Sequence, residues 1–138
     1  NKNIATQCGY NEGIHQYYQD SVFSIITEQT YAETDCIKFT ENTFMSISNK
    51  CLPLYFYSAG TVGQLNKLEY QTLFSSYDSE TDNILRFNKV IDSIQELCNI
   101  PLSELRQATA DIVELNTNIL SRRSRDAFNE QVRNIFNT

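Results

Sequence analysis

The chain has 138 residues, of which 17 are acidic and 11 are basic, so its formal net charge is −6 at pH 7. This length fits one domain, and we expect residues 1–138 to fold as a single helical domain. A content of 41% hydrophobic and 12% aromatic residues excludes a disordered chain. The acidic balance disfavours binding to nucleic acid, which depends on neutralising phosphates.

The N-terminal third of the chain predicts two helices. Apolar residues at helical spacing predict the first over residues 11–30 and a weaker one over residues 35–50. The first series is Ile14, Tyr18, Val22, Ile25 and Ile26, and the second is Cys36, Thr40, Phe44 and Ile47. Residues 65–76 fit either a helix or a strand, and we choose a helix because the neighbouring segments are helical.

The second half of the chain predicts long helices, because Pro101 is its only strong helix breaker. Ser79, Thr81 and Asp82 are good N-cap types for a helix that ends near Asn99. Its apolar face consists of Ile84, Phe87, Ile91, Ile94 and Cys98, and Leu85, Val90 and Leu97 widen it. A further helix is expected from Pro101 to about residue 134, with a bend near Ser121. Together these segments predict an all-α fold, a compact bundle of four to five helices.

Four cysteines without a CxxC pair favour two disulfides over a metal site, and disulfides persist in oxidising compartments. A helix over residues 35–50 would hold Cys36 and Cys51 about 22 Å apart, too far to bond. We therefore favour Cys8–Cys51 with Cys36–Cys98 over Cys8–Cys36 with Cys51–Cys98. The bundle is thus expected to be stapled by two disulfides.

The same cysteines predict a secreted, extracellular protein. No charged and apolar leader precedes Asn1, which is typical of a mature chain whose signal segment has been removed. A piece of a larger ectodomain would look the same. No apolar run approaches the roughly 18 residues of a membrane span.

The sequence gives little support for a catalytic function. His15 is the only histidine, and the elbow, zinc, dinucleotide and phosphate-loop motifs are missing. The acidic segment 78–82 resembles the start of a calcium loop, but Asn83 and Lys89 stand where that loop needs Gly and Glu. We interpret it as a solvated turn that caps a helix. We expect no enzyme activity, no metal and no cofactor.

Two segments are candidates for partner binding. The first contains Tyr55, Phe56 and Tyr57, since aromatic side chains dominate binding hot spots. Its structural alternative is that the aromatic run closes one end of the bundle. The second contains Arg122, Arg123 and Arg125, whose guanidinium groups pair with carboxylates or phosphates. They suit an acidic partner, a sulfated glycan or the acidic body of another copy. Its alternatives are a processing site and an exposed helix face balanced by nearby acids.

These observations lead to three hypotheses for function. The first is a secreted, non-enzymatic factor that engages an extracellular protein partner, as an inhibitor, a cytokine-like ligand or a host-directed modulator. The second is a carrier of a small hydrophobic ligand, lined by Phe23, Phe39, Phe44, Phe56, Phe74 and Phe87. The third is a structural fragment of a viral or parasite surface protein that oligomerises through Leu105, Ile112 and Ile119.

Overall fold

The structure is a computed structural model that describes residues 17–27 and 39–136. Its described elements are strand β1 (Phe23–Ile26), helix α1 (Glu41–Ser48), strand β2 (Leu52–Tyr55), helix α2 (Thr61–Lys67), helix α3 (Asn83–Cys98) and helix α4 (Leu102–Phe136). Helices dominate, but the two strands pair with each other. The predicted all-α class is therefore wrong.

The two strands form a parallel sheet. Phe23 lies opposite Leu52 and Ile26 lies opposite Tyr55, with α1 in the connection between the strands. Leu52 donates its backbone N–H to the carbonyl of Val22 at 2.9 Å. Because alternate residues of a parallel strand bond to the same neighbour, the odd-numbered residues of β2 direct their backbone groups away from β1.

Side chains cover that outer edge of β2. Pro53 has no N–H, so its position on the outer side costs no ladder hydrogen bond. The carbonyl of Pro53 accepts a hydrogen bond from Thr72 Oγ1 at 2.6 Å. The N–H of Tyr55 donates to the hydroxyl of Tyr77 at 3.3 Å. The residues after α2 therefore satisfy the strand edge that a third strand would otherwise occupy.

The helix predicted over residues 11–30 is wrong beyond residue 19. Among the described residues of this range, 17–19 are helical, and β1 follows at Phe23. Val22 and Ile26 are buried, whereas Ile25 is 52% exposed. The β-branched residues of this segment suit a strand, and pairing with β2 prevails over their helical spacing.

Helices α1 and α2 are shorter than predicted. Helix α1 begins only at Glu41, after the N-cap Thr40, and residues 35–38 lie outside the described residues. Helix α2 ends at Lys67, so the helix predicted over residues 65–76 is wrong beyond that point. Asp78 holds the start of α2, because its carboxylate accepts hydrogen bonds from the N–H groups of Val62 and Gly63, each at 2.8 Å.

Helix α3 begins where the capping residues predict. Asp82 is its N-cap and accepts hydrogen bonds from the N–H groups of Ile84 and Leu85. This capping prediction is confirmed. Nearby, Glu80 pairs with Lys89 at 2.8 Å, and this hydrogen bond lowers the pKa of the Glu80 carboxyl. The acidic turn thus supports the helix that follows it.

The buried face of α3 carries an arginine. Arg86 is 4% exposed and lies in one row with Val90, Ser93 and Leu97. Its guanidinium donates to the carbonyl of Tyr57 at 2.7 Å. It also donates to the carbonyl of Glu80 at 2.8 Å and to Asn83 Oδ1 at 2.6 Å. No carboxylate among the described residues pairs with it. Three neutral oxygens and the Phe87 ring, whose centroid is 5.4 Å from the guanidinium carbon, surround this buried charge.

Helix α4 has 35 residues and therefore spans about 52 Å. It continues through Ser121 as one uninterrupted helix. Its first half packs on the rest of the chain through Leu105, Thr109, Asn116 and Ile119. From residue 121 to residue 135 every residue is exposed except the half-buried Val132. We call this exposed segment, residues 121–135, the α4 arm.

The predicted disulfide staples are not borne out. Cys51 and Cys98 are both free thiols, and Cys51 is buried while Cys98 is exposed. The Cys51 thiol lies just before β2 and donates to the carbonyl of Tyr18 at 3.2 Å. Cys8 and Cys36 lie outside the described residues. A mixed fold held by ordinary packing replaces the stapled bundle in the described part of the chain.

Candidate protein-binding groove

The predicted aromatic segment lies mostly in the core. Tyr55 is 1% exposed and Tyr57 is 8% exposed. The hydroxyl of Tyr55 shares a buried hydrogen bond with Thr43 Oγ1 at 3.1 Å. Phe56 is half-buried, and its ring stacks on Phe87 with centroids 4.5 Å apart. These side chains stabilise the fold, and their burial keeps the two tyrosines from the surface that a partner contacts.

The predicted arginines lie at the start of the α4 arm. Arg122 Nη2 is 2.6 Å from Glu69 Oε2, and Arg123 Nη2 is 3.5 Å from the same oxygen. Arg123 also donates to the carbonyl of Leu68 at 3.1 Å. Arg125 is exposed and pairs with no acid among the described residues. One carboxylate thus faces two guanidinium groups.

Glu69 reaches the arginines because of its backbone. It follows the end of α2 with a φ of 71°, a left-handed conformation that Gly or Asn usually adopts there. The side chain of Glu69 is 56% exposed, and those of Arg122 and Arg123 are 50% and 43% exposed. Exposed ion pairs contribute only about 0–1 kcal/mol. Another carboxylate can therefore replace Glu69 at small cost.

Tyr70 lies next to these charges. It is 1% exposed, and its ring packs edge-on against Phe44 with centroids 6.2 Å apart. The guanidinium carbon of Arg123 is 5.9 Å from the Tyr70 ring centroid. The Tyr70 hydroxyl is buried and has no hydrogen-bond partner among the described residues. Burial raises the pKa of Tyr70, while the charges of Arg123 and Arg122 oppose that rise.

Two adjoining concavities follow α4 around this cluster. The first has a volume of about 580 Å³ and the second about 550 Å³, within the range of about 300–1,000 Å³ that is typical of ligand sites. Both contain Glu69 and Arg122 in their walls. They run from Leu115 to Glu130 along α4, a length of about 22 Å. We call the two together the α4 groove.

The two concavities of the α4 groove differ in composition. The first is lined mainly by polar residues, with Val62, Leu115 and Ile119 as its apolar part. Asp126 and Glu130 contribute acidic groups to the second, beyond the arginines. The sequence suggests that such nearby acids balance the arginines, but Glu69 is the acid that pairs with them.

Asn116 fixes one wall of the groove. Its Oδ1 accepts a hydrogen bond from the N–H of Gln71 at 2.8 Å, and its Nδ2 donates to the carbonyl of Gln71 at 2.7 Å. The amide thus pairs with both backbone groups of one residue. Sequence reasoning missed this contact. The available signal was a polar residue four positions after Ile112, on the face that the apolar spacing predicts to be buried.

A smaller cavity of about 290 Å³ lies on the other side of α4, between Tyr18, Lys50 and Arg106. The nearby Cys51 thiol is 1% exposed. Burial raises the pKa of Cys51, and the positive charge of Arg106 only partly offsets this effect. A protonated, enclosed thiol is a poor nucleophile. His15 lies outside the described residues.

Comparisons with known proteins provide no family and no template. No family model, no curated protein and no solved structure matches the chain. Among residues 17–27 and 39–136, no group of three acidic, His or Cys side chains is placed to hold a metal ion. In the same ranges, no helix has the length and apolarity needed to cross a bilayer.

Proposed function

We propose that the chain is a non-enzymatic protein-binding factor that engages a protein partner through the α4 groove. The observation that carries this proposal is the exposed Glu69 carboxylate shared by Arg122 and Arg123. Two planar donors with one exchangeable acceptor suit an incoming carboxylate. The partner segment that fits presents an acidic side chain beside an apolar one.

Leu115 supports the apolar residue that this description assigns to the partner. Leu115 is 39% exposed and lies one helical turn from the buried Ile119, so a partner's apolar side chain gains contact area there. Phe128 and Ile135 of the α4 arm are 64% and 70% exposed, but they lie about 140° and 160° around the helix from Leu115 and belong to another face.

The carrier hypothesis gains no support from the aromatic side chains. Phe23, Phe39, Phe44, Phe56 and Phe74 pack against the buried core, and Phe87 stacks on Phe56. These are the contacts of ordinary core packing. The hypothesis of oligomerisation through the long helix also gains no support. Leu105 and Ile119 of the predicted seam are each only 6% exposed and pack within their own chain.

The extracellular location stays a prediction. The main argument for this location was that the four cysteines form two disulfides, but Cys51 and Cys98 are free thiols. We retain an extracellular partner as part of the proposal. A test of location is separate from a test of the groove: the intact chain in the medium of the cells that produce it supports secretion, and its confinement to the cells contradicts it.

Peptide selection tests the groove. A library of random displayed peptides is selected on the full chain, and the affinities of the enriched peptides are then measured. We expect the enriched peptides to contain Asp or Glu beside an apolar residue. Arg122→Gln and Arg123→Gln should each weaken their binding about tenfold, as expected for a charge-assisted hydrogen bond.

Glu69→Gln is the decisive variant, because it should strengthen binding. Removing the Glu69 carboxylate frees both arginines. A surface ion pair worth about 0.4–1 kcal/mol corresponds to a gain in affinity of about twofold to fivefold. Lys50→Glu, at an exposed residue on the other side of α4, changes charge as a control and should leave binding unchanged. Weaker binding by Glu69→Gln, or no enriched acidic peptide, would contradict the proposal.

A further inference from the structure

Helix α3 buries only one edge of the apolar face that its sequence predicts, through Val90 and Leu97. The central row of that face consists of Ile84, Phe87, Ile91, Ile94 and Cys98, which we call the α3 stripe. Ile84 is 73% exposed and Ile91 is 42% exposed. Cys98 is also exposed, and only Phe87 and Ile94 are half-buried. The most apolar side of α3 thus faces largely outward.

The reason is the row that α3 does bury, from Arg86 to Leu97. At about 100° per residue, the centre of this row lies about 110° around the helix from the centre of the α3 stripe. The three hydrogen bonds of Arg86 and the packing of Val90 and Leu97 hold the helix in this rotation. An exposed apolar row of this kind marks an interaction surface.

We propose that the α3 stripe is the contact between two copies of this chain in a symmetric, antiparallel pair. Ile84 and Cys98 each lie seven residues from Ile91. A twofold axis at Ile91 therefore places Ile84 of one copy near Cys98 of the other and brings the two Ile91 side chains together. This self-complementarity is what a twofold interface between identical subunits requires.

The charge distribution favours a second copy at this place. Each chain carries a net charge of −6, so two copies repel each other over most of their surfaces. The α3 stripe carries no charged residue, and Asn88 and Gln95 beside it are exposed amides. Amide side chains both donate and accept hydrogen bonds, so they tolerate their own copies. Asp92 and Glu96 lie farther around the helix.

The length of α3 sets the strength of this pair. Its 16 residues span about 24 Å. A contact along one face of a single helix of this length buries a small area, and small interfaces associate weakly and transiently. A dimer with a dissociation constant of about 10–500 µM is expected.

Sedimentation velocity of the full chain tests the proposal over a range from about 5 µM to about 1 mM. We expect the sedimentation coefficient to rise from the monomer value toward the dimer value. Ile91→Glu should remain monomeric throughout the range. Leu85→Glu is the matched control, because Leu85 is 53% exposed but lies about 120° around the helix from Ile91; it should dimerise like the wild type.

Cross-linking tests whether Ile91 lies at the centre of the contact. In a chain whose Cys8, Cys36 and Cys98 are replaced by serine, Ile91→Cys should form a disulfide-linked dimer at least about tenfold faster than Leu85→Cys under mild oxidation. A wild-type chain that stays monomeric to 1 mM overturns the proposal. Equal cross-linking rates for the two cysteines also overturn it.

The dimer is independent of the proposed groove. Ile91→Glu should bind the selected acidic peptides as the wild type does, whereas Arg122→Gln should dimerise normally. Failure of one property with retention of the other identifies which of the two proposals is wrong.

Discussion

The hydroxyl of Tyr77 is the acceptor for the backbone N–H of Tyr55, at 3.3 Å in the buried interior. The Tyr77 side chain thus makes the hydrogen bond that a neighbouring strand would otherwise make. Burial raises the pKa of Tyr77 to about 12, although the hydrogen bond from Tyr55 opposes the rise. The neutral phenol is therefore the form that the folded state favours.

This relationship predicts a loss of stability in alkali. The folded pKa of Tyr77 is above its unfolded value of 10.0, so the folded state holds its proton longer. The stability from this group is present below pH 10 and is lost as pH rises toward 12, by up to about 2–3 kcal/mol. Urea unfolding between pH 9 and pH 12 measures this loss.

Tyr77→Phe is the matched variant for that measurement. At pH 7 it should be less stable by about 1–2 kcal/mol, because the Tyr55 N–H loses its acceptor. Between pH 10 and pH 12 it should lose less stability than the wild type, since it has no phenol to ionise at this site. An identical alkaline slope in both proteins would contradict the prediction.

Arg86→Met should destabilise the protein strongly. The substitution leaves the carbonyls of Tyr57 and Glu80 without their donor in the interior, at a cost of about 2–4 kcal/mol. Arg125→Met, at an exposed position of the α4 arm, should change the free energy of unfolding by less than about 0.5 kcal/mol. Urea titration of both variants at pH 7 measures the difference, and comparable effects would show that Arg86 does not support the core.

Asn116→Asp tests the wall of the α4 groove. Aspartate keeps an acceptor for the N–H of Gln71 but cannot donate to its carbonyl. We expect a loss of about 1–3 kcal/mol. Asn118→Asp, on the exposed side of the same helix, introduces the same charge and should have little effect. Thermal unfolding of both variants at pH 7 provides the comparison.

The two described thiols should react at different rates. Cys98 is exposed, whereas Cys51 is buried and its pKa is raised by that burial. Alkylation of Cys51 with iodoacetamide therefore needs local opening and should be at least about tenfold slower. Peptide mapping by mass spectrometry measures both sites in the native chain. In urea the rates should converge, and equal native rates would contradict the burial of Cys51.

The sequence predicts those helices whose signals are local. Asp82 caps α3 three residues before Leu85, and apolar residues recur regularly through α4. The sheet depends instead on contacts between distant segments, since Phe23 pairs with Leu52. Pro53 argues against an interior strand, but on the outer side of β2 it removes no ladder bond. No local pattern near either strand reveals its partner.

The candidate site was likewise only partly predictable from the sequence. The arginines of α4 form a short cluster that composition alone reveals. Their partner Glu69 is 53 residues before Arg122, and its left-handed backbone is visible only in the fold. The rotation of α3 likewise depends on Arg86, a charged residue that the apolar pattern places on the surface and the structure buries.

The covered edge of β2 limits how the protein can aggregate. Amyloid-like growth recruits strands onto a free strand edge, and on this side the edge is satisfied by Thr72 and Tyr77. A new strand would have to displace both side chains and would still meet a proline with no N–H to offer. Replacing Thr72 and Tyr77 together should therefore raise the rate of fibril formation more than the loss of stability alone explains.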